Sequence, residues 1–353
     1  MNANVLVTTA GTIVAQGIIK SLKLANAQSD HSVNYRIVST DMSREAAGLY
    51  RSDVGLVVPP FSSPRYLDNI VTICKNEGID AIFVGADEEL LTMAINKQRI
   101  EKETNAAVIT NPVDVIKICS DKWETFKFLK RNSIPCPKTS LPEDRYEFFR
   151  EIGFPIVVKP REGHGSLHLY VTNSVEEANH AISMVTRYGW RPILQQYIPS
   201  DNLEFTTGVT VDREGREVMS SIAMRRTLKA GQTYKGFING YGDIERAAER
   251  ASLRLGARGP VNVQGRFCNE EFSVIEINPR FSASCPIRAV AKINEPDIVF
   301  RNRVLKEQIK IENHDRLICL RYWNEVYVPY SIYEQLADKK KIEGANSFIP
   351  DYF

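Results

Sequence analysis

Residues 274 to 284 read VIEINPRFSAS and place a carboxylate, an amide and a guanidinium in or beside an apolar run. Glu276 and Asn278 are two positions apart, so on a strand their side chains point to one face. Val274, Ile275 and Ile277 supply apolar packing, and Pro279, with no N–H for a ladder, ends the strand just before Arg280. Two oxygen donors aimed one way suit a hard cation such as Mg2+, which takes one or two carboxylates together with phosphate oxygens. The same residues also suit a strand end whose polar groups face water or cap a turn. Other segments have to decide between these readings.

A second chemical segment is VVKPREGHGS. Lys159 follows Ile156, Val157 and Val158, and a lysine inside an apolar run needs an anionic partner because an unpaired buried charge is costly. The turn after it holds Gly163, His164, Gly165 and Ser166, whose backbone N–H groups could cover a polyphosphate as a flap. It is no Walker A loop, since GxxxxGK[ST] is absent, and glycine-rich hairpin turns are often only turns. His164 and His168 are read as solvent-facing and receive no catalytic role.

The elements that position these groups fall into two textures. Over residues 1–115, strand-like NVLVTT, YRIVSTD, VGLVVPP and DAIFVGA alternate with helical runs, the last of them EELLTMAINKQRIEKE. That alternation predicts a doubly wound parallel sheet. Its first turn, TTAGTIVAQG, has Thr9 where a dinucleotide fingerprint needs its first glycine, which argues against a nicotinamide-dependent oxidoreductase. Asp87, Glu88 and Glu89 end the fourth strand, where they either bind a substrate amine or serve as ordinary first-turn acids of a helix. From residue 116 the pattern changes to a helix, SDKWETFKFLKRNSI with Ser120 as expected N-cap, and then to antiparallel hairpins. RPILQQYIPS, LEFTTGVTV, SSIAMRR and VNVQGRFCNEEFSVIEINPR are its strands, and the last of these puts Gln264 and Glu276 on neighbours. Extended backbone at Gln195, Gln196 and Tyr197 can read an adenine edge through its own amide and carbonyl groups. Arg225 and Arg226 are either a bidentate clamp for a substrate carboxylate or a surface pair.

Composition narrows the class. The chain has 353 residues, 43% hydrophobic and 25% charged, as expected of a folded protein of two or three domains. Forty-five basic side chains against 43 acidic ones leave a formal charge of only +2, so no global field draws in nucleic acid or an anionic membrane. Six scattered cysteines without a CxxC pair predict reduced thiols in a cytoplasmic protein. The first residues have no basic and apolar leader pattern, and no run of about 18 apolar residues predicts a membrane span. Lys339 to Lys341 read as a solvated charge run. The aromatic tail LICLRYWNEVYVPYSIYEQL is read either as core or as a dimer interface, which leaves a homodimer open.

The ordered series SDK, VVKPREGHGS, QQYI, LEFTTGVTV, MRRTLKAGQT, VNVQGRF and VIEINPRFS resembles the ATP-grasp fold, in particular the large subunit of carbamoyl-phosphate synthase. The resemblance covers residues 116 to about 300. It implies an α/β and α+β chain: a Rossmann-like domain over 1–115, a small lobe with its flap over 116–198, and a second lobe with the metal site and tail over 199–353. It further implies Lys122 and Lys159 on ATP phosphates beneath the 163 to 166 turn, and Gln195, Gln196, Tyr197 and Ile198 in the hinge at adenine. Glu204 would meet the ribose, and Glu276, Asn278 and Gln264 would hold Mg2+, with Mn2+ as an alternative. Arg280 would stabilise charge on the transferring phosphoryl group or the acyl intermediate, while Asp87, Glu88 and Ser282 would contact the substrate. Gln195 departs from the acidic residue common there, and the absence of an internal repeat sets the chain apart from the tandem synthase. The implied reaction is ATP-dependent joining of a small carboxylate and an amine. A nucleotide-binding regulatory module without turnover and a carboxyphosphate-forming enzyme are the other readings.

Overall fold

Leu6 alternates with Val5 and Val7 along NVLV, and the two sets enter different apolar cores on opposite faces of one sheet. That double burial makes the first sheet parallel and doubly covered. In the computed structural model, which describes residues 1–28, 32–163, 167–199, 203–268, 271–322, 324–344 and 347–350, its strands are β1 (Asn2–Val7), β2 (Asn34–Asp41), β3 (Val54–Val57), β4 (Ala81–Phe83) and β5 (Ala107–Ile109). All pair in parallel, in the order β3-β2-β1-β4-β5. The intervening helices are α1 (Ile13–Asn26), α2 (Tyr66–Glu77), α3 (Asp87–Ile95) and α4 (Lys97–Thr104). The single helix expected over the EELLTMAINKQRIEKE run is two. Asn96 leaves helical geometry, and its Nδ2 donates to the Thr92 carbonyl at 2.9 Å, a local side-chain bond that competes with continuing the helix.

Next come α5 (Val113–Ser120) and α6 (Lys122–Arg131). The N-cap of α6 is Asp121, not the expected Ser120: Asp121 Oδ1 accepts from the Trp123 and Glu124 amides, while Ser120 ends α5 and donates to the Ile116 carbonyl. A four-stranded antiparallel sheet follows, in the order β6-β9-β7-β8, from β6 (Thr139–Ser140), β7 (Ile156–Pro160), β8 (Tyr170–Thr172) and β9 (Pro192–Gln196). Helices α7 (Arg145–Ile152) and α8 (Val175–Arg187) pack on it.

The third sheet is also antiparallel. Its strands are β10 (Glu204–Val211), β11 (Val218–Lys229), β12 (Gln232–Ile238), β13 (Gly259–Cys268), β14 (Glu271–Asn278) and β15 (Leu317–Leu320), in the order β14-β13-β10-β11-β12-β15. A bulge between Gln264 and Gly265 shifts the β13–β14 register, so that Gln264 faces Glu276 and Gly265 faces Val274. A side chain at Gly265 would bring its Cβ to 2.4 Å from the Ser273 carbonyl oxygen, so the bulge depends on glycine there. Helices α9 (Gly242–Leu255), α10 (Cys285–Val290) and α11 (Glu295–Arg303) cover this sheet and join it to α1, and α12 (Tyr330–Lys339) leads to β16 (Lys341–Glu343). β16 returns to the first sheet and pairs antiparallel with β3, with Leu336 and Ile342 in that core. The aromatic tail is thus partly core. The division at 115/116 and 198/199 is our proposal for the folding units, and its first boundary lies inside α5.

Candidate functional site

Three sheets enclose one cleft of about 740 Å³. The carboxyl ends of β1 and β4 supply Gly11, Thr12 and the Gly85–Glu88 turn, and β14 supplies Glu276 and Asn278 from the far wall. Asn278 faces Asn262 as Glu276 faces Gln264, so four side chains carrying oxygen donors line neighbouring strands. Arg280, just beyond the strand end, places Nε and Nη2 each 2.8 Å from an oxygen of Asp87, and Nη2 lies 3.2 Å from Asn278 Oδ1. Ser282 also lines the cleft, its Oγ accepting from the Ser284 amide at 2.9 Å.

Lys159 enters from β7 and is 6% exposed. Among the described residues no carboxylate supplies the anion that its burial calls for: Nζ donates to Gln195 Oε1 at 2.8 Å, and Gln195 Nε2 donates in turn to Thr139 Oγ1. Burial and the nearby charge of Lys122 push the Lys159 ammonium down to about 7, against the opposing pull of Glu276. Lys122, in the first turn of α6, lines the same cleft and donates to the Gly163 carbonyl at 2.6 Å. Gly163 has φ +103, a conformation that favours glycine. His164, Gly165 and Ser166 lie outside the described residues. Beyond them Leu167 and Leu169, 68% and 41% exposed, line the cleft with Val171 and Ile275. Gln196, Tyr197 and Ile198 are liners at the crossing from β9 towards β10, and Gln196 exchanges backbone and side-chain hydrogen bonds with Lys138.

Glu204 is held between two arginines. Arg226 meets its Oε1 from β11 at 2.8 Å, and Arg266 meets its Oε2 from β13 at 2.9 Å. Arg226 Nη2 also donates to Gln264 Oε1 at 2.8 Å, which turns that oxygen towards the guanidinium. Arg266, inside VNVQGRF but given no role from the sequence, sits directly across from Glu204 in the β10–β13 register. That cross-strand position was its only signal. Arg225 requires a correction, because it does not join its neighbour in the cleft. Successive strand residues point to opposite faces, and its guanidinium lies 4.1 Å from the centroid of the Phe237 ring, across from it on β12. Glu89 is likewise withdrawn from any substrate role. It is buried, with Thr8 Oγ1 and Tyr66 OH donating to it at 2.5 and 3.0 Å and Thr9 as a third hydroxyl donor. Burial raises its carboxyl above the usual range, against the effect of those hydroxyls.

A family profile described as an ATP-grasp domain matches residues 119–284, the segment that supplies Lys122, Lys159, Glu276 and Asn278. Over that segment the chain carries an ATP-grasp domain. A second profile, described as a PylC-like N-terminal domain, matches residues 5–109. Among curated relatives, this chain is 26% identical over 293 residues to the carbamoyl phosphate synthase large chain of Helicobacter pylori, covering 76% of this chain and 26% of that protein. It is 27% identical over 221 residues to the D-alanine–D-alanine ligase of a Thermotoga strain, covering 55% of this chain and 70% of the ligase. The chain therefore spans about a quarter of the length of the synthase large chain it matches. Among solved structures, N5-carboxyaminoimidazole ribonucleotide synthetase from Thermus thermophilus superposes with a TM-score of 0.69 at 18% identity, covering 93% of this chain and 85% of that one. An ADP complex of another such synthetase gives 0.70 at 13% identity, covering 90% and 80%. These likenesses establish the fold: a parallel-sheet domain followed by antiparallel ATP-grasp sheets.

Proposed function

We propose that this ATP-grasp chain is an ATP- and Mg2+-dependent ligase that activates a small carboxylate as an acyl phosphate for attack by an amine. The observation that carries the reading is convergence: Lys122, Lys159, Glu276, Asn278 and Arg280 come from three separate segments and line one cleft. Leu167, Leu169, Val171 and Ile275 offer an apolar wall for a base, next to the backbone of Gln196 to Ile198. Lys159 and Lys122 would neutralise the phosphates of the nucleotide, since phosphoryl transfer asks mainly for positioning and charge compensation.

The donor set fits Mg2+ of the kind completed by phosphate oxygens. One carboxylate, Glu276, and one amide, Asn278, share a strand face, and among the described residues no group of three or more acidic, histidine or cysteine side chains forms a full protein cage. Glu276 and Asn278 would hold the ion, which would draw charge from the transferring phosphate. Gln264, whose oxygen accepts from Arg226, would position that guanidinium instead.

In the proposed reaction a substrate carboxylate oxygen attacks the γ-phosphorus and the bond to ADP breaks. An amine nitrogen then attacks the acyl carbon, inorganic phosphate leaves, and the amine proton passes to solvent. Arg280 is paired with Asp87, so a zwitterionic substrate such as an amino acid would exchange one ion pair for two: its carboxylate on Arg280 and its ammonium on Asp87, with Glu88 and Ser282 beside them. We assign the protein to the cytoplasm; no helix among the described residues is long and apolar enough to cross a membrane. Homodimerisation through the later part of the aromatic tail, where Tyr327 and Tyr330 are exposed, belongs to the same proposal.

The test is ADP release over a panel of amino acids and small carboxylates with candidate amines, with Glu276→Ala as control. Amine-dependent ADP formation that collapses in the variant supports the ligase. Full Mg2+-dependent turnover in Glu276→Ala would refute the metal assignment, and NADH binding without ATP binding would refute the reading as a whole.

A further inference from the structure

A second cleft, of about 860 Å³, lies between α1, α10 and the segment that begins with β15. On one exposed face of α1, Gln16, Lys20, Lys23 and Leu24 stack at helical spacing, the opposite face being buried in the core. Arg51 and Arg321 complete a set of four cations, and among the described residues no carboxylate lines the cleft. Among the described residues, none of the four forms an ion pair, although Arg321 Nη2 donates to the Ala283 carbonyl at 3.2 Å. Partial burial, then the fields of Arg321 and Arg51, lowers the Lys20 ammonium from its ordinary range, so these three charges share one space.

The rest of the lining is apolar and exposed. Leu317 and Cys319 pack on the core, yet Ile318 and Leu320, on the opposite face of β15, are also apolar and are 63% and 65% exposed. Val290 at the end of α10 is 59% exposed and lines the same space. A concave site with apolar walls and unpaired like charges is complementary to one chemistry.

We propose that this cleft binds an amphipathic anion, an apolar chain or ring that carries a carboxylate or phosphate head. The apolar body covers Val290, Ile318 and Leu320, and the head meets Lys20, Arg51 and Arg321. A second copy of the chain is disfavoured, because an isologous contact would set one unpaired cationic cluster against another. The proposal is independent of the ligase reading, but the two clefts are adjacent. Ser282 to Ser284 line the nucleotide cleft, and Pro286, Ile287 and Val290 line this one.

The probes are decanoate and decyl phosphate, with decyl maltoside as neutral control, each titrated calorimetrically into the full chain below its critical micelle concentration. One saturable site is expected for an anion, with the neutral control at least tenfold weaker. The charge-reversed double variant Lys20→Glu/Arg51→Glu should weaken the anions tenfold or more while leaving the melting temperature and the affinity for an ATP analogue unchanged. Leu320→Ser, which tests the apolar wall, should weaken them severalfold. Preference for one anion over the other assigns the head. No saturable binding, equal affinity for the neutral probe, indifference to charge reversal, or displacement of the probe by an ATP analogue would overturn the proposal. So would a dimer that blocks the probes and dissociates in Ile318→Asp.

Discussion

Nucleotide binding should take up a proton, and Lys159 is the group that receives it. Before binding, its ammonium is pushed from 10.5 down to about 7 by burial and by Lys122, and its only hydrogen-bond acceptor among the described residues is the neutral Gln195 amide. At pH 8.5 about 3% of such a group is protonated. A polyphosphate brings the missing negative charge and returns the lysine towards its ordinary range; even a return to about 9.5 leaves it some 90% protonated, an uptake of about 0.9 proton per site. At pH 6 the lysine is about 90% charged beforehand, so the uptake shrinks to about 0.1. The sign is therefore definite: affinity for the nucleotide falls as pH rises above about 7, by up to tenfold per unit while only the bound form holds the proton. Calorimetry of a non-hydrolysable ATP analogue in buffers of low and high ionisation enthalpy reads the uptake directly. Gln195→Glu supplies the control, because a carboxylate at that position keeps Lys159 charged before binding and abolishes most of the uptake. An uptake near zero at pH 8.5 in the unaltered protein, or one unchanged in Gln195→Glu, would refute the assignment of Lys159 to the phosphates.

The same depressed ammonium costs stability in the ligand-free protein below pH 10.5, and the cost saturates near pH 7. Lys159→Met should therefore raise the melting temperature near neutrality; the gain is bounded by about 5 kcal/mol and reduced by the hydrogen bond lost at Gln195, as a thermal scan without nucleotide will show. Glu276→Ala should lower turnover by about 10²-fold or more and remove its Mg2+ saturation, measured as ADP release. Arg226→Ala should cost about 10²-fold in turnover while Arg225→Ala changes it less than about threefold; equal losses would contradict the opposite placement of the two. Gly265→Ala should destabilise by about 1–3 kcal/mol in denaturant unfolding, because its Cβ cannot be placed without moving the Ser273 backbone or the Phe272 ring.

The alternation of strand and helix up to residue 109 was legible because each strand is short, apolar and bounded, and the period of the pattern changes at each element. Glu276 and Asn278 were legible because spacing of two determines a shared face. The same rule separates Arg225 from Arg226, since adjacent residues on a strand cannot both reach one ligand, and reading the pair as a clamp overlooked it. Partnerships were less legible. Nothing local to Asp87 announces that Arg280, 193 residues later, will pair with it, and nothing in the tail shows β16 returning to β3. Such contacts follow from the closing of the chain on itself, where sequence distance carries no information about spatial distance. Neighbouring chemistry decided the cap of α6 too: Ser120 and Asp121 both cap well in principle, but only Asp121 also pairs with Arg161, which ties the helix start to the end of β7.

That tie explains why Lys122 and Lys159 can act as a unit. Asp121 caps the helix whose first residue is Lys122, and it binds Arg161 two residues beyond Lys159, with Arg161 Nε 3.1 Å from Asp121 Oδ1. The backbone repeats the link, for the Lys122 amide donates to the Arg161 carbonyl at 3.0 Å. One carboxylate thus anchors α6 and β7 together and holds two ammonium groups near one another, an arrangement that repels itself until an anion arrives. The depressed Lys159 is the visible sign of that repulsion, with Lys122 the largest contribution after burial. Two cations kept close by neutralised scaffolding form a site whose missing component is negative charge, which under the proposed function a nucleotide phosphate would supply.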